Sequence, residues 1–114
     1  MFCCPSIYQP FGIINLEAMA CQTAVVTSAV GGIKEVVVDG ETGILVPLEQ
    51  QQAPFEPVDP GRVARDLAAG INRLLEDEPL RDSMGKAGMN RAKQMFSWTS
   101  IAHQTEALYE SLLR

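Results

Sequence analysis

Apolar residues follow two different rhythms along this chain. Up to residue 48 they come in short runs broken by glycine and proline, and after residue 58 they recur every three or four positions. Phe2, Cys3 and Cys4 make a short strand that Pro5 ends. Tyr8, Gln9, Pro10, Phe11 and Gly12 then read as a turn, and residues 13–21 as a helix. That helix is apolar almost all round, which predicts that it is largely buried. Residues 24–27 form a second strand, apolar without alternation, as in a parallel sheet covered on both faces. Gly31 and Gly32 open a short segment over 33–38 that ends at Asp39 and Gly40, and residues 43–46 form a third strand stopped by Pro47. Residues 36–44 also fit a hairpin locally. The strand–helix alternation ahead of them favours a helix, a turn and then a strand.

The second rhythm is helical. Asp59 caps a helix with Pro60 in its first turn, running to about Asp77, with Val63, Leu67, Ile71, Leu74 and Leu75 along one face. Pro79 begins the next helix, which turns Leu80, Met84, Ala87, Met95 and Phe96 inward. Gly85 and Gly88 lower its helix propensity, so close packing or a break is expected near them. Ser97 caps a last helix striped by Trp98, Ile101, Thr105, Leu108 and Leu112. Three strands and five helices make an α/β fold with a short parallel sheet between helical layers and a helical C-terminal tail. The expected organisation is a strand–helix part over 1–48, a polar, proline-interrupted surface loop over 49–58, and helices of the same domain over 59–114. Such a sheet has two edges, so self-association through an exposed edge is expected.

Composition narrows the function. The 114 residues carry nine Lys and Arg against fourteen Asp and Glu, a net charge of −5, which argues against nucleic acid or an anionic membrane as main partner. Residues 1–48 hold just five charges: Glu17, Lys34, Glu35, Asp39 and Glu41. No apolar run reaches the ~18–20 residues of a membrane span, and the first residues lack the pattern of a signal peptide. A soluble, cytoplasmic protein is expected. Cys3, Cys4 and Cys21 have no metal-ligand spacing and read as small buried hydrophobes, with no metal site.

Two features are candidates for chemistry. The turn at residues 8–12 follows a strand and opens a helix, the place where ligands bind in doubly wound sheets. The amides of Gly12, Ile13 and Ile14 are free to meet an anion there, although an ordinary tight connection would look the same. Glu17 is the only charge between positions 1 and 33 and lies in an otherwise apolar helix. It suits a pair of vicinal hydroxyls such as those of a ribose, or else meets solvent at the helix edge. If a diphosphate binds, Lys34 is the one cation within 1–48, so further cations come from elsewhere. His103 reads as a solvated surface residue, and Trp98 with Phe96 as core or interface.

The run PSIYQPFGIINLEAMAC over 5–21, followed by VGGIKEVV over 30–37 and DGETGILVP over 39–47, resembles the signature of the family 4 retaining glycosyltransferases. Residues 96–98, Phe-Ser-Trp, fit as well, so the resemblance spans nearly the whole chain. It implies a GT-B architecture, two Rossmann-like domains with the donor between them, of which this chain matches the last part of the donor domain. The finer pattern is most like actinobacterial-type glycogen synthases and maltose-1-phosphate synthases.

The family pattern is Glu, seven residues, Glu. The second falls on Glu17, which the resemblance places on the donor ribose. The first falls on Gln9, so the carboxylate expected beside the transferred sugar is an amide here. Phe11, Gly12, Ile13 and Ile14 are expected around the sugar and the distal phosphate. The resemblance implies a donor-binding fragment of a glucosyltransferase acting from ADP-glucose or UDP-glucose, without other cofactor, to an α-glucan or sugar-phosphate acceptor held by an N-terminal domain. Such a fragment is expected to be inactive alone. The alternative is a non-catalytic α/β binding or interaction module that keeps the glycosyltransferase shape, which Gln9 favours slightly.

Overall fold

The computed structural model describes residues 1–50 and 57–113. Strands β1 (Phe2–Cys4), β2 (Val25–Ser28) and β3 (Gly43–Val46) form one parallel sheet in the order β1-β2-β3. The register pairs Cys3 with Val26 and Val26 with Ile44. Alternation along β2 sends neighbouring side chains to opposite faces of the sheet. Val25 joins a cluster with Cys4, Met19, Ile33 and Val37, while Val26 joins one with Val46, Leu74 and Met84. All four residues of β2 are buried, as a continuous apolar strand between two layers requires.

Helices α1 (Ile13–Ala20), α2 (Ile33–Val36) and α4 (Glu78–Phe96) supply the first cluster, and α3 (Pro60–Glu76) packs on β2 and β3 in the second. Local chemistry sets the helix starts. The Asp59 carboxylate accepts from the Arg62 amide at 3.1 Å, and that of Asp77 from the Leu80 amide at 3.0 Å. Ser97 caps α5 (Trp98–Leu112) through the Ser100 amide. Close packing and not a break accounts for the two glycines in α4, which runs unbroken. A Cβ at Gly85 would stand 2.4 Å from the Gln22 carbonyl oxygen, and one at Gly88 3.3 Å from Met19 Cγ. The helix–turn–strand reading of 33–46 holds: α2 is helical and β3 runs parallel to β2, so no hairpin forms.

Several burial expectations fail, each for a packing reason. The helix expected to be largely buried shields only Asn15 and Met19, while Ile13 is 59% exposed. One face of α1 lies on α4, and the face carrying Ile13, Glu17 and Ala20 stays open. Leu75 and Met95 are exposed, while Leu74 and Met84 pack in the second cluster. Cys21 is exposed just past the end of α1, unlike buried Cys4. Trp98 is 86% exposed, and α5 has no buried residue, so its stripe covers nothing within the described residues. The loop expected at 49–58 lies mostly outside the described residues; its ends meet in a Gln50–Pro57 bridge.

Candidate functional site

Beyond the carboxyl end of β1 the chain is tied down before it turns. Thr27 Oγ1 donates to the Cys4 carbonyl at 3.0 Å, Ser28 Oγ donates to the Ser6 carbonyl, and Gln50 Nε2 donates to the Ile7 carbonyl. These side chains from β2 and from the segment beyond β3 fix the run into the turn at 8–12. Gly12 then adopts a left-handed conformation, φ 89° and ψ 42°, as the N-cap of α1. Its carbonyl accepts from the amides of Asn15 at 3.0 Å and Leu16 at 3.3 Å. No side chain caps this helix. The amides of Gly12, Ile13 and Ile14 have no partner among the described residues, as is usual for the first amides of a helix, and they lie at the positive end of its dipole.

Asn15 sits directly behind these amides. It is fully buried, and neither its Oδ1 nor its Nδ2 has a hydrogen-bond partner among the described residues. An unpaired buried amide costs about 1–3 kcal/mol of lost solvation at the root of the turn.

Glu17 is exposed on the open face of α1. With Phe11, Ile13, Leu16, Lys93 and Trp98 it walls an open cavity of about 570 Å³. The structure therefore brings Phe11, Ile13 and Glu17 to one cavity, while Gln9 and Gly12 in the turn and Ile14 in the first turn of α1 do not line it. Gln9 is half-buried, with its backbone carbonyl held by the Gly32 amide at 3.2 Å.

Three neighbours of the turn escaped the sequence reading. Phe96 meets Phe11 edge-to-face with centroids 5.9 Å apart. Arg91 lies 5.6 Å over the Phe96 ring and donates to the carbonyls of Val36 at 2.9 Å and Glu35 at 2.8 Å. Lys93 adds to the cavity a cation that residues 1–48 do not supply. Helical spacing flagged Phe96 as an inward residue; nothing local flags Lys93, or Arg91, whose carbonyl partners are more than fifty residues away. Among the titratable groups, burial and the adjacent Cys4 push the Cys3 thiol above its ordinary value, away from thiolate chemistry.

A parallel sheet helical on both faces, with an uncapped glycine turn beyond a strand's carboxyl end, defines an α/β domain with a Rossmann-like build. Comparison with known proteins makes this specific. The model for "Glycosyl transferases group 1" matches residues 1–91, and the chain belongs to that family. It is 49% identical to the α-maltose-1-phosphate synthase of Mycobacterium tuberculosis over 98% of this chain and 27% of that protein. Among solved structures, the sucrose-phosphate synthase of Thermosynechococcus elongatus superposes with a TM-score of 0.75 at 41% identity, covering 97% of this chain and 25% of that one. The Anabaena HepE protein in complex with UDP-glucose gives 0.73 at 27% identity, covering 96% and 27%. These neighbours are GT-B glycosyltransferases. The chain spans about a quarter of the length of the relatives it matches.

Proposed function

We propose that this chain is the donor-binding part of a retaining glucosyltransferase that takes ADP-glucose or UDP-glucose and delivers glucose to an α-glucan or a sugar phosphate in the cytoplasm. The observation that carries the reading is the row of unpartnered amides at Gly12, Ile13 and Ile14, with Glu17 one turn further along the same helix. The amides receive the distal phosphate of the donor, and the helix dipole favours its charge as the sugar–phosphate bond breaks. Glu17 accepts two hydrogen bonds from the ribose hydroxyls. Gln9 and the backbone of Phe11 lie beside the transferred sugar. The UDP-glucose complex of HepE supports a nucleotide-sugar donor, and the named product of the mycobacterial relative supports a sugar-phosphate acceptor.

The chain alone is expected to bind donor without transferring sugar, because the acceptor site lies in the remaining three-quarters of the relatives' length. Titration with ADP-glucose and UDP-glucose tests the reading. Removing the carboxylate in Glu17→Ala is expected to weaken binding about 10–100-fold, the worth of charged hydrogen bonds. Equal affinity in the variant would remove Glu17 from the site. A second reading, a non-catalytic module of the same shape, is favoured by one observation: an uncharged Gln9 where the resemblance calls for a carboxylate.

A further inference from the structure

The turn of the proposed site does not stand alone; it lies on the backbone of a second glycine turn. The amide of Gly32 is shared between two carbonyls of the first turn, Gln9 at 3.2 Å and Pro10 at 3.1 Å. A Cβ at Gly31 would stand 2.0 Å from the Gln9 carbonyl oxygen, and one at Gly32 would stand 2.2 Å from the Pro10 oxygen and 2.6 Å from Phe11 Cα. From the opposite side, a Cβ at Gly12 would meet Ile33 Cγ1 at 2.9 Å. The two turns are thus in backbone contact with no room for a methyl group between them. The lower turn is itself anchored, because Val30 and Ile33 on either side of the glycines are buried in the core.

We propose that Gly31 and Gly32 are positioning residues of the donor site, holding residues 9–11 so that the Gln9 side chain and the amides of 12–14 address one ligand. This rests on the donor-binding reading of the turn. The backbone here must be glycine for space, not only for conformation, since the nearest atoms are main chain and cannot swing aside. The pair is assigned no direct contact with the donor. Its effect passes through the Gln9 and Pro10 carbonyls, and a displacement near 1 Å at reacting groups is costly in rate.

Gly40 supplies the control. It also has a positive φ, 78° against 51° at Gly31, but a Cβ there meets nothing within 4 Å. Gly31→Ala and Gly40→Ala therefore bear a similar backbone strain, and only the first presses on Gln9. In the 114-residue chain, Gly31→Ala is expected to shift the amide resonances of Phe11, Gly12 and Ile13 before any ligand is added, and to weaken UDP-glucose and ADP-glucose binding about tenfold or more. Gly40→Ala, which bears the strain without the clash, is expected to lose less thermal stability while leaving those resonances and the affinity unchanged. Equal effects of the two substitutions at residues 11–13 would overturn the proposal. Should Gly31→Ala not fold, hydrogen exchange in the wild type decides. Protection at the Gly32 amide matching its two carbonyl partners supports the lock, and exchange at the rate of an open loop refutes it. If the wild type binds no donor, the site reading fails by itself, while the unliganded resonances still decide whether the glycines hold the turn.

Discussion

Gln9 is where one functional group separates two accounts of this protein. An amide keeps the hydrogen-bonding reach of a carboxylate but brings no negative charge to a sugar that develops positive charge as its phosphate departs. In the whole enzyme, Gln9→Glu is expected to raise the transfer rate about 100-fold, the usual scale of one well-aimed electrostatic group. Assay of the two whole proteins under saturating donor checks this; an unchanged or lower rate would mean that Gln9 is suited to its chemistry as it stands. The residues of the turn were legible in the sequence because their chemistry is local: a strand end, a proline, a glycine and the first amides of a helix lie within eight positions. Arg91 was not legible. Its bonds to the Glu35 and Val36 carbonyls depend on how α4 crosses α2.

At the scale of elements, periodicity foretold the existence and order of every strand and helix, since each carries its own signal of run length, cap or breaker. It did not foretell which face of a helix is covered. Residues 13–21 are apolar nearly all round, and only packing against α4, with Met19 over Gly88, reveals which side is closed. The same ambiguity ran through α3, where Leu74 and Leu75 both fall on the predicted stripe while one is fully buried and the other 59% exposed. Leu74→Ala is expected to cost about 2–5 kcal/mol of stability, through lost burial plus a cavity against Val26 and Met84. Leu75→Ala is expected to cost no more than about 0.5 kcal/mol. Denaturant unfolding of the two variants checks the assignment, and equal losses would mean that α3 is rotated from the arrangement described.

At the scale of the molecule, the radius of gyration is 15.8 Å, against about 13 Å for a compact domain of some hundred residues. The excess fits α5, which packs on α4 and not on the sheet and has no buried residue. No strand pairs with the outer edge of β1 among the described residues. Open strand edges recruit other strands, so the isolated chain is expected to self-associate as its concentration rises. Sedimentation that shows one monomer at all concentrations would contradict this. The net charge of −5 opposes association and makes it stronger at high ionic strength.

The central claim is that an amide row and one carboxylate on a single short helix receive a nucleotide sugar. Residue-resolved NMR titration of this chain with UDP-glucose and ADP-glucose, alongside Glu17→Ala, tests it most directly. The account predicts saturable shifts concentrated at Phe11, Gly12, Ile13, Ile14 and Glu17, largely lost in the variant, with the tighter nucleotide identifying the donor. Shifts centred elsewhere, or a folded chain whose amides at 11–17 ignore both donors at millimolar concentration, would contradict it.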